Sequence, residues 1–598
     1  MNWLTYCLSA AVLYAFSFTY YAVISKGLGH KAFYLQMRRF LPCALLACLP
    51  AALADTMLLA PPLMPTLLVG LSWMLAYPTF YCLTNRKSAV FFNWPYDFVF
   101  GFYLIAILSA LQLLCFHYGF TGTGAALLAT LEVLFLVIPV LQAVYYRIYG
   151  VCVSEAGLMA TQQTDYNETL EFLKAFGFLA LTAVVVTPLL FLACFYTLNL
   201  GTAQLLGLQQ MGWLSTGLLV LLIFALSHYL YKSVFKRMGL IELFFDVKDY
   251  FHSAQAYETT HQERFASLQV DTANLPQGAA PHTIIVVIGE SASRDHMSLF
   301  SAYPRDTTPW LTSQAHTEEF FLFPHAYACW HQTIPVIERA LTEANQYNEL
   351  PFNQACSVLD LAKKAGYTTS WFSNQGHLGC ADTQVTLIAN TADNAKWTQQ
   401  ELNKVQYDEA LLDYVRTVDP THNNFIILHL MGSHDNFQTR YPAEFTKWGT
   451  PGKYHLLDNY DNSLAYTDAL LQQIKDYAQE HLGLAALVYF SDHATIPDKR
   501  RQPNFSDFAL VRIPMFVYIA KAYQELIPVA AQTLRKNTGA YFTNDLIYDL
   551  VGSLLGVTSN RQVAAQSIAS PAYKFTRETL TTNLGKTPLT DDHTDDKL

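Results

Sequence analysis

Seven apolar segments, at roughly residues 2–24, 40–60, 63–83, 97–118, 123–146, 174–197 and 212–231, constrain this chain more than any other feature. Each approaches the roughly 20 residues that a helix needs to cross a bilayer. Short polar breaks or prolines separate them, as at Pro61, Pro62 and Pro65. Such repetition predicts a polytopic helical membrane domain over residues 1–235, not buried helices of a soluble core. Composition agrees: 52% of the residues are hydrophobic and only 14% charged, with the charges concentrated after about residue 235. The first segment lacks a basic leading region, so it reads as a span and not as a cleaved signal. A net charge of −10 without basic stripes excludes nucleic acid as a partner.

Basic residues set an expectation for orientation. Lys26, Lys31, Arg38 and Arg39 put the first loop in the cytoplasm, and seven spans then carry the polar half there too. Lys232, Lys236 and Arg237 agree. If one segment lies on the membrane instead of crossing it, the count reverses. Residues 154–173 interrupt the apolar pattern with Glu155, Asp165, Glu168 and Glu171, which predicts an amphipathic surface helix or a solvated connecting helix. Thr164 and Glu168 are four apart and share a face of it. Residues 236–282 read as a second interfacial helix followed by a polar linker.

From residue 283 the pattern becomes strand, loop, helix. Strands are expected at 283–288, 368–372, 424–430, 484–490 and 513–519, and helices at 333–345, 355–365, 405–417, 458–480 and 540–556. Such alternation predicts an α/β domain with a mostly parallel sheet over 283–560. Residues 561–598 read as a polar tail ending in a disordered acidic run. Cys329, Cys356 and Cys380 are the cysteines of this half, and none has zinc-ligand spacing. The other seven lie in the apolar half and read as packing residues.

Two strand ends carry the chemistry. Ile284 to Ile288 run into Gly289-Glu290-Ser291, where Gly289 permits a sharp turn and Glu290 emerges at the carboxyl end, the usual place for ligands in such sheets. Leu484 to Phe490 likewise stop at Ser491-Asp492-His493. Glu290, Asp492 and His493 together make a ligand set for a divalent transition metal with one position open. A hydroxyl nucleophile belongs at that open position. Thr333, where a loop gives way to a helix, is the better candidate; Ser291 reads as a cap for the next helix. Thr333 could equally be an ordinary N-cap. His429 and His434 flank a strand end and could bind phosphate oxygens or protonate a leaving group, although His429 also fits a satisfied core position. Asn374 and His377, on the loop 373–383, suit either substrate contact or a plain loop.

These motifs in this order, together with YPRDTTPWL (303–311), Arg440-Tyr441-Pro442 and YDNSLAYTDALL (460–471), resemble the membrane-bound phosphoethanolamine transferases of Gram-negative bacteria. Those proteins belong to the alkaline phosphatase/sulfatase superfamily. The resemblance implies a sulfatase-like catalytic domain and zinc held by Glu290, Thr333, Asp492 and His493, with Thr333 as nucleophile. It implies His434 and His429 as contacts to the donor phosphate, and Thr164 and Glu168 as contacts to its head group. The donor would be phosphatidylethanolamine and the acceptor a lipopolysaccharide, with the domain on the periplasmic face of the inner membrane. A phosphoglycerol transferase on the same scaffold, or a non-catalytic lipid-sensing or scaffolding relative, are the alternatives. The sequence departs from the family pattern in three places. Ala494 and Thr495 follow His493 in place of Gly-Glu, Phe505 stands near the position of a usual histidine with Lys499, Arg500 and Arg501 close by, and Ala160 replaces a usual Asn.

Overall fold

The computed structural model describes residues 3–24, 30–53, 63–84, 95–150, 152–153, 158, 186–204, 212–239, 241, 244, 256–273, 280–375, 384–398, 406–450, 455–498, 505 and 507–594. The chain forms two compact units that divide near Tyr250.

Among its described residues the first unit forms helices joined by turns, and no strand. Its helices are α1 (Trp3–Ile24), α2 (His30–Leu53), α3 (Met64–Thr84), α4 (Pro95–His117), α5 (Thr121–Tyr149), α6 (Val186–Gln204) and α7 (Trp213–Tyr229). Helical structure continues from α7 through Arg237. Five of the seven, namely α1, α4, α5, α6 and α7 with its continuation, are long and apolar enough to cross a membrane. The other two form helices but fall short of that mark among the described residues. In α2 the reason is plain: Lys31, Arg38 and Arg39 sit on the helix itself and not in a loop before it. α4 lies at the centre, against α2, α3, α5 and α7. Gln112, Asn199 and Glu132 link α4, α6 and α5 through buried hydrogen bonds of 2.9 and 2.7 Å, a polar tie inside an apolar bundle. The expected surface helix falls mostly on residues 154–173, which lie outside the described residues apart from 158, so Thr164, Glu168 and Ala160 do too.

The second unit is built on a seven-stranded sheet. Its strands are β1 (Thr283–Gly289), β2 (Phe320–Leu322), β3 (Thr368–Ser373), β4 (Asn394–Trp397), β5 (Asn424–His429), β6 (Leu484–Ser491) and β7 (Met515–Ile519). Their order across the sheet is β2-β7-β6-β1-β5-β3-β4. β6, β1, β5, β3 and β4 pair in parallel, whereas β7 runs antiparallel to both of its neighbours. The sheet is thus mixed at one edge. β1 is central, and alternate residues enter two cores: Ile284, Val286 and Ile288 on one face, Ile285 and Val287 on the other. That is why it reads as an unbroken apolar run.

Two expectations change here. Residues 256–273, assigned to the interfacial helix and the linker after it, belong to this unit: His261 meets Asp360 at 2.7 Å, Arg264 donates to the Asn353 carbonyl, and Val270-Asp271 pair with Thr558-Ser559. Nor is the polar end a disordered tail. It is ordered through residue 594, because Asp592 is buried against Arg512 and Thr581-Thr582 pair with Thr587-Pro588.

Candidate active site

β1, β6 and β5 end side by side, and the parallel register places Ile288 beside both His429 and Phe490. The residues just beyond these ends therefore converge. Glu290, Asp492 and His493 are all buried, with one ligand atom from each lying within 4.8 Å of the others. His493 Nε2 stands 3.5 Å from Glu290 Oε1 and 3.4 Å from Asp492 Oδ2. Its Nδ1 lies 3.0 Å from the Ala494 carbonyl. A proton on Nδ1 satisfies that carbonyl and leaves the Nε2 lone pair facing the carboxylates. Only a backbone carbonyl is needed there, so Ala494 serves as well as glycine would.

Several features fit this cluster to a cation. Two carboxylates share a buried pocket, and burial together with Glu290 pushes the Asp492 carboxyl well above its ordinary range. Asp492 Oδ1 accepts the backbone N–H groups of Ser291 and His493, at 3.0 and 2.6 Å. Asp492 Oδ2 has no hydrogen-bond donor among the described residues. A buried carboxylate oxygen left without a donor is costly, and a divalent ion on it removes the cost.

Thr333 opens helix α8 (Thr333–Ala340). It is not the N-cap; Gln332 holds that place, with no side-chain cap. Instead the Thr333 hydroxyl donates to Glu290 Oε2 at 3.0 Å and lies 3.5 Å from His493 Nε2. Pro335 falls in the first turn of α8, where its missing N–H costs nothing. The structure thus brings all four expected metal-site residues together.

The turn after β1 differs from expectation. Ser291, not Gly289, has the positive φ, at 58°. Gly289 is required by space: a Cβ there would lie 2.6 Å from the Tyr489 hydroxyl. Ser291 does not cap the next helical turn, which Ser293 does, and its hydroxyl donates to Glu290 Oε1. Gly432 has φ of +49° and packs on the Glu290 backbone, where a Cβ would come within 2.8 Å of its carbonyl oxygen.

The expected substrate residues separate. His429 is fully buried at the end of β5, with Nδ1 3.2 Å from the Ser373 hydroxyl. Burial pushes its pKa down to about 4. It is neutral near pH 7 and cannot serve as a proton donor there. His434 is half-buried on the loop beyond. Asn374 is no substrate contact: its amide donates to the Gln406 carbonyl and to Asp408, and its oxygen accepts from Thr398. Asp408 in turn accepts the Met431 and Gly432 N–H groups, at 2.7 and 2.8 Å. Asn374 therefore braces the loop that carries His434. His377, Lys499, Arg500 and Arg501 lie outside the described residues. Phe505 packs against the buried His331 ring, with centroids 6.1 Å apart.

Sequence reasoning missed Gln375 and Asn544. Gln375 donates to Glu290 Oε2 at 3.1 Å and to the Leu430 carbonyl at 2.8 Å. Asn544 donates to the Asp492 carbonyl at 2.7 Å and accepts the Cys329 N–H at 2.9 Å. It thereby ties the segment before Thr333 to the end of β6. Gln375 lies on the loop 373–383 singled out for Asn374 and His377, and Asn544 stands in no motif; only the sheet brings them to the site.

Comparison with known proteins points the same way. A sulfatase-family model matches residues 282–557. The chain is 30% identical over 325 residues to the phosphoethanolamine transferase EptC of Escherichia coli O18:K1:H7 (strain RS218 / NMEC), covering 50% of this chain and 55% of that one. It therefore spans about half the length of that relative. It is 24% identical over 489 residues to the phosphoethanolamine transferase EptA of Escherichia coli K12, covering 73% of this chain and 84% of that one. In fold it resembles the integral membrane lipooligosaccharide phosphoethanolamine transferase A of Neisseria meningitidis, with a TM-score of 0.54 and 16% identity over 84% of this chain and 98% of that one.

Proposed function

We infer, for a chain of the alkaline phosphatase superfamily homologous to the membrane-bound phosphoethanolamine transferases, that it moves phosphoethanolamine from phosphatidylethanolamine to a lipopolysaccharide acceptor. The reading places the second unit in the periplasm and the five apolar helices of the first unit across the inner membrane. The observation that carries it is the Thr333 hydroxyl, aimed at Glu290 beside a buried acidic pocket.

Zinc suits the donor set, and Glu290, Asp492, His493 and Thr333 would hold it. Bound there, it would lower the pKa of the Thr333 hydroxyl and neutralise phosphoryl oxygens. The chain's own residues supply the rest. Glu290 Oε2 accepts the hydrogen bond of the Thr333 hydroxyl and fixes its oxygen toward the pocket. Thr333 Oγ1 passes its proton to Glu290 Oε2 and bonds to the donor phosphorus as the bond to the diacylglycerol oxygen breaks, and Glu290 returns that proton to Oγ1 when the Thr333 ester later breaks. That oxygen takes a proton from His434, which leaves diacylglycerol and phosphoethanolamine on Thr333. An acceptor oxygen on lipid A or the core then attacks phosphorus, the Thr333 ester breaks, and the acceptor's proton returns to His434. Neutral His429 can donate only a hydrogen bond to a phosphate oxygen, without charge. Thr164 and Glu168 are the candidate contacts for the donor's ammonium head group.

The test is turnover by the full chain in detergent with head-group-labelled phosphatidylethanolamine and purified lipopolysaccharide. Diacylglycerol release with label on the lipopolysaccharide supports the reading. Label taken only from phosphatidylglycerol would make this a phosphoglycerol transferase. No turnover of either lipid by zinc-loaded protein would favour a non-catalytic role.

A further inference from the structure

Three consecutive residues lead toward Thr333, and the far end of the chain holds each of them. The Tyr327 hydroxyl donates to Asp592 at 3.0 Å. The Ala328 carbonyl accepts the Thr582 hydroxyl at 2.7 Å, and the Cys329 carbonyl accepts the Leu584 N–H at 3.0 Å. Thr582 and Leu584 belong to a hairpin that pairs Thr581-Thr582 with Thr587-Pro588. The same hairpin grips the chain beyond α8: Gly585 N–H donates to Gln346, and Gln346 donates to the Thr581 carbonyl at 2.7 Å. The helix that presents Thr333 is thus held on both sides by one element.

The hairpin is made under strain. Asn583 and Leu584 have φ of 56° and 52°, a region that L residues with branched side chains seldom enter. Leu584 is the residue whose N–H reaches Cys329. Beyond the hairpin, Asp592 is buried and takes a two-pronged pair from Arg512, at 2.7 and 3.0 Å. Arg512 also meets Asp295 and receives the Arg294 N–H on its carbonyl, so the same anchor reaches the turn that follows Glu290.

We propose that the C-terminal hairpin 581–588 and Asp592 form a clamp that sets the position of the Thr333 segment against the metal pocket, with Asp592, Thr582 and Leu584 as positioning residues. The proposal rests on Thr333 being the nucleophile. It separates two functions physically. Glu290, Asp492 and His493 stand just beyond the ends of β1 and β6, whose paired register fixes them, and these three still make a ligand set when Thr333, the fourth, shifts with its segment. Loss of the clamp therefore slows formation of the covalent adduct and leaves metal binding and donor affinity largely intact.

The test compares the full chain with Asp592→Ala, Asp592→Asn and Thr582→Val. Three quantities are read: bound zinc per chain, the rate of adduct formation on phosphatidylethanolamine micelles by intact mass, and the lipid concentration that gives half that rate. A displacement of about 1 Å costs on the order of 100-fold in rate. The expected result is a fall of tenfold or more in Asp592→Ala and a smaller fall in Thr582→Val. Asp592→Asn, which keeps the Tyr327 bond, recovers part of the rate. Zinc content and half-saturation stay within about twofold of the parent. If Asp592→Ala does not fold, Thr582→Val decides. Adduct formation at the parent rate in the folded variants overturns the clamp alone, and so does loss of zinc in step with rate. An unmodified parent chain overturns the nucleophile assignment, and the clamp with it.

Discussion

The Thr333 hydroxyl donates to Glu290 Oε2 at 3.0 Å, joining the first turn of a helix to the end of the central strand. Gln375 donates to the same oxygen, at 3.1 Å. One carboxylate thus orients the proposed nucleophile and is itself oriented. Replacing Gln375 with Ala removes that second bond while keeping all four candidate ligands. We expect Gln375→Ala to lower kcat by about ten- to 100-fold with little change in KM, as loss of orientation does. A pure rise in KM would instead make Gln375 a substrate contact.

Asn374 gives a contrasting case. Its amide and carbonyl are committed to Gln406, Asp408 and Thr398. Asn374→Ala leaves buried polar groups unpaired, at a cost of about 1–3 kcal/mol each. The expected outcome is a lower melting temperature and lower kcat, with KM for the lipid unchanged. A selective rise in KM at normal stability would restore it as a substrate residue.

His429 makes the pH dependence of stability testable. Burial lowers its pKa to about 4 from the ordinary 6.5, so the unfolded chain binds a proton more readily. Its contribution is present above about pH 6.5 and is lost as pH falls toward 4. His429→Gln should flatten the fall in melting temperature across that window. An unchanged slope would show that His429 does not titrate there.

Asp468 has the opposite sign. It accepts the Trp310 and Leu311 N–H groups at 2.8 and 3.1 Å, and burial pushes its pKa up to about 7. The folded chain holds a proton that the unfolded chain releases near 3.8. Its stabilising contribution is present below that value and is lost as pH rises through about 7. Asp468→Asn should therefore gain melting temperature relative to the parent between pH 5 and 8. Constant difference across that range would contradict the assignment.

The metal cluster was legible because each apolar run stops at a polar residue on a strand end, and parallel register then brings the ends together. Thr333 was legible only as a residue at a loop-to-helix boundary; what distinguishes it from a cap is its bond to Glu290, which no local pattern encodes. Gln375, Asp408 and Asn544 were not legible, since their partners come from other strands and loops. The short edge strands β2 and β4 carry too few residues for a periodic signal. The acidic end reads as solvated from its composition, yet Asp592 is buried because Arg512, 80 residues away, neutralises it. Among the described residues each of the seven apolar segments carries a helix, but charges on α2 separate helix formation from membrane crossing.

Intact mass on purified, zinc-loaded full chain given phosphatidylethanolamine tests the central claim most directly, with Thr333→Ala and Ser291→Ala beside it. The account predicts a phosphoethanolamine adduct on the parent and on Ser291→Ala, none on Thr333→Ala, and none on the parent stripped of metal by a chelator. An adduct that survives in Thr333→Ala, or one that Ser291→Ala alone abolishes, would contradict it.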